Sequence, residues 1–595
     1  MALDSNLILS ASGWRKVFAA DGNEQSSTRD ISDSDYNMAL IAGDCFVEYL
    51  YSKLDIDTPV IAVGMDARPT GPKIADAIIK ILKAKKTVIQ FLGITAAPEI
   101  MAYARKLDGF IYISASHNPI GHNGLKFGLN DGGVLNAQEN ALLTSEFKKK
   151  MEDEDYIAEI KYLIDNQKSS EIKQVAEEEY SSKHNAIKAY YDFMNTTITG
   201  TNNPDEQKII FSYIHKYLKD KELGIVCDFN GSARCLSIDK GYFKEHGINF
   251  YCINDNAGQI VHEIIPEAEN LTYVAEKMNE LHKEGHKEVI LGYMPDCDGD
   301  RGNIVYWDEK LKQAVILKAQ EVFSLSVLSE VTYQIWKNRE TNPDVKINPA
   351  VCVNCPTSMR IEEIVNKLGG KVFRAEVGEA NVVNCAREKR EEGYEVRILG
   401  EGSNGGTITY PSAVRDPLNT IFAIIKLLTI RENGLYEIWC KKIGIEYKDD
   451  FTLNDVLESL PKYTTTGVSE KRAVLKIKTR DHSVLKANFQ KIFIKEWNKK
   501  QKELVKKFNI CSWEAIITNG TKEVKNVNDF SISGKGGLKI LFKNAKDEAI
   551  AFIWMRGSGT EPVFRIMCDV KGQKPQIEKD LLKWESQMLL EADNY

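Results

Sequence analysis

The sequence predicts an α/β protein of several domains, and three features lead there. Strand-like apolar runs at 60–63, 109–113, 224–227, 289–291, 350–353 and 396–399 alternate with stretches of helical spacing such as 72–82 and 360–368. That alternation is the pattern of sheets covered by helices. The runs end in polar or glycine-rich turns, GMDARPTG (64–71), DFNGSA (228–233) and LGEGSNGG (399–406), so the blocks read as variations on one architecture, although no repeat is visible in the residues themselves. Finally, 595 residues exceed a single core, and roughly 100 to 200 residues per domain gives three to five domains.

Two segments read as additions to that plan. Residues 137–195 are rich in Lys and Glu with helical spacing, and 484–508 place Leu485, Phe489, Ile492, Phe493 and Trp497 on one helical stripe with a basic opposite face. A solvated outer face accounts for that basic surface. Beyond it, 538–542, 549–555 and 563–569 read as strands closed by a helix from about Pro575, a separate C-terminal α+β unit.

The composition, 43% hydrophobic and 27% charged with a net charge of -7, is that of a soluble globular protein and argues against a general nucleic-acid surface. An anionic ligand must therefore meet local positive charge. Asp4 stands where a secretion signal would be basic, and no uncharged apolar run reaches the ~18 residues of a membrane helix. A cytoplasmic protein without membrane contact is expected. The eleven cysteines form no framework, and Cys352 with Cys355 lacks the second pair of a zinc site, so buried free thiols are expected.

The stretch ISASHNPIGHNGLKFG (113–128) follows an apolar run and then turns. Ser116 sits on this loop, the kind of place where chemistry is carried. A Ser-His-Asp hydrolase using His117 does not fit, because adjacent residues on an extended segment point apart and no Gly-x-Ser-x-Gly elbow is present.

MPDCDGDR (294–301) sets Asp296, Asp298 and Asp300 at alternate positions, so that three carboxylates converge. A hard divalent cation such as magnesium would relieve their repulsion. An EF-hand fails, since its sixth position is Arg301 and its twelfth Trp307; a solvated acidic turn is the plain alternative. If Ser116 accepts a phosphoryl group, its oxygen completes the metal site while Lys126 and Arg301 offset charge.

MRGSGTEPVFRI (555–566) is a turn between two strands in which Gly557 and Gly559 free backbone amides, Ser558 and Thr560 add hydroxyls, and Arg556 and Arg565 add charged forks. It reads as a phosphate cradle; a hairpin with two incidental arginines is the alternative. GEGSNG (400–405) matches a dinucleotide fingerprint in letters only, because the β-branched run TITYP follows where a helix should open. What remains is a turn presenting Glu401 and Ser403 to hydroxyls.

Together these motifs resemble the α-D-phosphohexomutases, the family of phosphoglucomutase, phosphomannomutase and phosphoglucosamine mutase. SASHNP with NGLK, DCDGDR, GEGSNGG and RGSGTEPVFR occur in the family's order, and SASGWR (10–15) resembles its opening element. The resemblance implies four domains around a central cleft, three related α/β domains with mixed sheets and a last one resembling the TATA-binding-protein fold. The boundaries expected are 1–205 with the phosphoserine loop and a helical insertion, 206–316 with the metal loop, 317–460 with the sugar loop and 461–595 with the phosphate loop.

It also implies a mechanism in which phosphorylated Ser116 donates to a hexose phosphate, the 1,6-bisphosphate turns over, and the other phosphate returns to serine. Asp296, Asp298 and Asp300 with Ser116 would hold Mg2+. Arg15, Lys126 and Arg301, with His117 of the serine motif, would make the catalytic set, Lys126 first for proton transfer because burial beside cations would lower its pKa. Glu401, Ser403, Asn404, Arg556, Ser558, Gly559, Thr560 and Arg565 would bind substrate. Glucose 1,6-bisphosphate is the expected activator, a sugar phosphate the partner, and a monomer or weak homodimer the assembly. Glucose is the first sugar expected, then mannose, then glucosamine. A phosphatase using the same serine is the rival activity. One departure stands out: Glu379 follows Gly378 where the family often has His or Lys, which leaves the second acid/base open.

Overall fold

The computed structural model describes residues 7–341, 343–557 and 563–595. These residues form two compact units, one running to Lys318 and taking in Ile408–Ile425, the other comprising Ala319–Thr407 and Lys426–Tyr595. Among the described residues, twenty-two strands in four sheets and the helices between them make a mixed α/β arrangement, as the alternating pattern predicts.

In the first unit, β1 (Ile8–Ser10), β2 (Gly13–Val17), β3 (Val60–Met65), β4 (Val88–Ile94), β5 (Gly109–Ile113) and β6 (His122–Leu129) form a sheet of order β1-β2-β6-β5-β3-β4. β3 is parallel to β4 and β5, whereas β6 runs antiparallel to β5 and β2. β5, GFIYI, is buried along its whole length, which is why it reads as a continuous apolar run rather than an alternating one. The helix Gly71–Ala84 starts with proline in its first turn and buries Ile74, Ile78, Ile81 and Leu82 on one stripe.

The second sheet, also in this unit, is ordered β11-β10-β9-β7-β8, from β7 (Gly224–Asp228), β8 (Asn249–Ile253), β9 (Val289–Pro295), β10 (Gly302–Asp308) and β11 (Gln313–Ile316). β7 is parallel to β8 and β9, and β10 is antiparallel to β9.

The third sheet is built from β12 (Pro349–Asn354), β13 (Lys371–Ala375), β14 (Glu395–Glu401) and β15 (Gly406–Thr409), ordered β13-β12-β14-β15, with β12 parallel to both neighbours. Counting the first sheet from β3, three sheets thus share one plan: the first strand is central, the second and third flank it in parallel, and the fourth adjoins the third. The turn from third to fourth strand carries the serine motif in the first sheet, the aspartates in the second and the GEGSNG turn in the third. This shared topology is the repeat that the residues themselves hide.

The fourth sheet is antiparallel: β16 (Tyr463–Thr465), β17 (Val474–Lys476), β18 (Ser512–Asn519), β19 (Lys522–Lys525), β20 (Gly537–Lys543), β21 (Ala549–Gly557) and β22 (Val563–Lys571). The helices His482–Phe508 and Pro575–Ala592 contribute to its core. Leu485, Phe489, Ile492, Phe493 and Trp497 are all buried there, the stripe read from the sequence, and each such side chain contributes about 1.5 to 3 kcal/mol of burial.

The Lys/Glu-rich insertion is four helices, Ala137–Glu152, Glu154–Asp165, Ser169–Glu177 and Glu179–Thr199. The first opens with a capping box in which Asn136 and Glu139 satisfy each other's backbone. Phe147, Met151, Ile157, Ile160 and Val175 join the core of the first sheet.

Candidate active site

The serine site is assembled within the first unit from two turns of equivalent topology. Ser116 lies on the β5–β6 turn with φ of 54°, a left-handed conformation rarely taken by residues with a Cβ. The expectation of an extended segment is therefore corrected; the loop reverses at the serine. Its Oγ donates to Asp296 Oδ2 at 2.8 Å, and its N–H donates to Ser114 Oγ at 2.8 Å. Ser114 Oγ in turn donates to Asp298 Oδ2 at 3.0 Å. The hydroxyl is thus directed at a carboxylate rather than at His117.

Asp296, Asp298 and Asp300 are all buried, with a ligand atom of each within 4.8 Å of the others. Burial, then Asp298 and Asp300, push the Asp296 carboxyl well above its ordinary range. Asp298 is shifted the other way, because the adjacent Lys126 ammonium and hydrogen bonds outweigh its burial. Asp298 Oδ1 and Asp300 Oδ1 have no hydrogen-bond donor. Two buried oxygens without donors among three carboxylates fit a hard cation.

Lys126, on β6, donates to Asp298 Oδ2 at 2.6 Å and stands 3.9 Å from Asp300 Oδ2. Burial opposes its charge, but the two aspartates prevail and hold the ammonium above its ordinary value. The expected lowering is thus reversed. Its nearest charged partners are anions.

The cations gather around the same turns. Arg15, on β2, donates through Nη2 to Ser12 O at 3.0 Å, while its Nε is buried without an acceptor. Arg301 Nε stands 4.0 Å from Asp296 Oδ2 and likewise lacks a hydrogen-bond acceptor. Arg415, which sequence reasoning missed, donates to Asp300 Oδ2 at 2.9 Å. Arg301, then burial, then Arg15 and Arg415 hold the His117 imidazole well below its ordinary range. At His117 the arginines thus outweigh Asp298.

The remaining candidates belong to the second unit. Glu401 ends β14 and is buried; its Oε1 accepts from Asn354 Nδ2 at 3.0 Å and from Gly378 N–H at 2.8 Å. Asn354 Nδ2 also donates to Ser403 Oγ at 3.2 Å. The carboxylate is gripped rather than displayed on an open turn. After Gly405 the chain enters β15 and not a helix, in keeping with rejection of a dinucleotide site. The backbone of Asn404 lies in the short 3-10 turn Gly402–Asn404, and its side chain is outside the described residues. Gly378 has φ of 124° and precedes the helix Glu379–Glu391, so Glu379 begins a helix beside the group that binds Glu401.

Arg556 and Arg565 face each other across the β21–β22 pair. Arg556 Nε is 3.2 Å from Glu376 Oε1, and Arg565 Nη1 donates to Val468 O at 2.9 Å. Gly557 has no room for a side chain, since a Cβ there would sit 1.9 Å from His482 Cε1. Ser558, Gly559 and Thr560 lie outside the described residues. Cys352 and Cys355 are buried and free, as expected; Cys352 Sγ is 3.6 Å from Cys385 Sγ, and Cys355 Sγ accepts from Trp554 Nε1 at 3.0 Å.

Residues 11–154 match the model of phosphoglucomutase/phosphomannomutase alpha/beta/alpha domain I, and 330–443 match that of domain III. A phosphoglucosamine mutase from Nautilia profundicola is 26% identical over 363 residues, 58% of this chain and 69% of that protein. A phosphoglucomutase/phosphomannomutase from Thermococcus kodakarensis is 22% identical over 526 residues, 87% of each. The crystal structure of the Paramecium phosphoglucomutase pp63/parafusin superposes with a TM-score of 0.61 at 14% identity, covering 99% of this chain and 95% of that one.

Two segments of the chain, 11–154 and 330–443, are thus domains of the phosphoglucomutase/phosphomannomutase type.

The chain's homologues and its fold are those of phosphohexomutases, which are phosphotransferase-type isomerases. Among the described residues no helix is long and apolar enough to cross a membrane. What sequence reasoning missed are the residues that hold the motifs: Asn354 behind the GEGSNG turn, Arg415 beside Asp300, and Arg68 behind the serine loop. GMDARPTG and DFNGSA were visible as turns after strands, and that placement was the one signal available for Arg68.

Proposed function

We propose that this protein interconverts a hexose 1-phosphate and a hexose 6-phosphate, glucose favoured, through phosphorylated Ser116 and a hexose 1,6-bisphosphate. One observation carries the reading. The same cluster holds two buried carboxylate oxygens without donors, on Asp298 and Asp300, and two buried guanidinium nitrogens without acceptors, on Arg15 and Arg301. Unpaired buried groups are costly, and a divalent cation answers the first pair as a phosphoryl group on Ser116 answers the second.

Magnesium held by Asp296, Asp298 and Asp300 with the serine oxygen would neutralise charge on the phosphoryl group. Arg15 and Arg301 bind phosphoryl oxygens, and Lys126 supplies fixed positive charge. In the first half-reaction the serine O–P bond breaks as an O–P bond forms to the free sugar hydroxyl; that hydroxyl loses its proton and the serine oxygen gains one. The second half-reaction reverses this at the other end of the sugar, returning a phosphoryl group to Ser116. Glu401 and Ser403 accept and donate hydrogen bonds to sugar hydroxyls, while Arg556 and Arg565 hold the phosphate that is not reacting.

The Nautilia profundicola relative is named a phosphoglucosamine mutase, so glucosamine 1-phosphate is the second substrate to assay, with mannose 1-phosphate beside it. The deciding experiment supplies glucose 1-phosphate, magnesium and a trace of glucose 1,6-bisphosphate. Glucose 6-phosphate is the expected product. Free phosphate in its place would mean a phosphatase.

A further inference from the structure

Arg68 is 1% exposed, yet nearly every donor on its side chain is spent on one loop. Nη2 donates to Ser116 O at 2.7 Å and to Asn118 O at 2.5 Å, while Nη1 donates to Pro119 O and, at 3.2 Å, to His122 O. Nε donates to Asp66 Oδ2 at 3.1 Å, and the Arg68 N–H to Asp66 Oδ1 at 3.0 Å. A guanidinium taken wholly out of water is costly, and apolar packing at this place would avoid the cost. The loop it grips includes the left-handed Ser116, a conformation that persists only where its surroundings over-determine it.

The arrangement recurs. Arg234 follows β7 as Arg68 follows β3, pairs with Asp239 at 2.9 Å, and donates through Nη1 to Gly299 O at 3.1 Å in the β9–β10 turn that carries the aspartates. Gly299 is glycine because a Cβ would meet Arg234 Cγ at 2.4 Å. In both sheets of the first unit, a buried arginine after the central strand, β3 or β7, thus holds the turn β5–β6 or β9–β10.

We infer that Arg68 is a positioning residue for phosphoryl transfer, fixing the Ser116 loop so that Oγ faces Asp296, without touching any reacting atom. The inference rests on the mutase reading. It implies that loosening the clamp slows transfer to and from Ser116 while leaving sugar-phosphate binding intact.

The test compares wild type with Arg68→Lys and Arg68→Ala, measuring kcat, KM, the rate of Ser116 phosphorylation by glucose 1,6-bisphosphate with magnesium, read by intact mass, and folding by circular dichroism. Misplacement of a reacting group by about 1 Å costs roughly 100-fold. That loss is expected in kcat and in phosphorylation rate, with KM changed less than about threefold, and sub-denaturing guanidinium should restore part of the rate to Arg68→Ala. A folded Arg68→Lys with wild-type phosphorylation, or a KM that rises as far as kcat falls, would overturn the clamp. If neither arginine variant folds, Asp66→Asn is the milder disturbance; the same split at smaller size supports the inference, and an unchanged phosphorylation rate sinks it. A wild-type chain that never takes up a phosphoryl group defeats the mutase reading and this inference with it, whereas an active wild type with an equally active Arg68→Lys defeats the clamp alone.

Discussion

Ser116 Oγ donates a 2.8 Å hydrogen bond to Asp296 Oδ2, joining a hydroxyl and a carboxylate 180 residues apart. The two sit at equivalent turns of two sheets built on one plan. If this hydroxyl is the phosphoryl acceptor, Ser116→Ala should nearly abolish turnover. The wild type should gain one phosphoryl group in mass after bisphosphate treatment and the variant none. A mass gain that survives in Ser116→Ala would place the acceptor elsewhere.

Asp298 faces Lys126, Ser114 and two other carboxylates, and one of its oxygens lacks a donor. Asp298→Asn removes a charge from this set, so more magnesium should be needed for half-maximal rate and the maximal rate should fall, each by at least roughly 10-fold. Chelator should silence the wild type, and added magnesium should restore it. Full wild-type activity in chelator would remove the cation from the proposal.

The motifs were legible because each is a continuous run whose chemistry is local: alternate aspartates, paired arginines around glycines, a serine beside Asn-Pro. The alternation of strands and helices was legible for the same reason. What holds the motifs was not, because Arg68, Asn354 and Arg415 act on residues about 50 to 115 positions away, and only the fold brings them together. The direction of the Lys126 shift failed on the same ground: burial was foreseeable from the sequence, whereas the dominance of Asp298 and Asp300 over neighbouring cations needed distances.

Arg556 and Arg565 are paired across the adjoining strands β21 and β22, and both are proposed to bind phosphate. Hydrogen bonds from a charged donor contribute about 1.5 to 3 kcal/mol each, so Arg556→Ala and Arg565→Ala should each lower kcat/KM by one to two orders of magnitude, chiefly through KM. Wild-type kinetics in either variant would refute a phosphate-binding role.

His246 is buried against Phe211, Tyr242 and Phe422, with His215 Nε2 at 3.3 Å from its Nδ1. Burial, then His215, lower its folded pKa to about 4 from an ordinary 6.5. The unfolded chain therefore takes up the proton first as pH falls, so stability is fully present above about 6.5 and is lost progressively toward 4, by about 3 kcal/mol at the end of that window. Replacing the ring by an apolar one in His246→Phe removes this contribution. The melting temperature of the variant should fall less than that of the wild type between pH 7 and pH 4.5. Equal falls in both proteins would sink the assignment.

Glu401 is held by Asn354 and by the N–H of Gly378, and Ser403 shares the same Asn354 amide. Two donors fix the carboxylate in one orientation, so it can serve as a rigid reader of sugar hydroxyls, which by family resemblance are those on carbons 3 and 4. Glucose and mannose are identical at those two carbons and differ at carbon 2. A site that hydrogen-bonds the shared hydroxyls should accept both sugars and reject one in which either hydroxyl is inverted, because its buried polar groups would be left unpaired. Activity is therefore expected with glucose 1-phosphate and mannose 1-phosphate, and far less with galactose 1-phosphate. Glu401→Ala should depress both accepted substrates together, and Asn354→Ala should do so more mildly by releasing the carboxylate from its orientation. Loss of one epimer with the other spared, or equal use of galactose 1-phosphate by the wild type, would show that Glu401 does not read these hydroxyls.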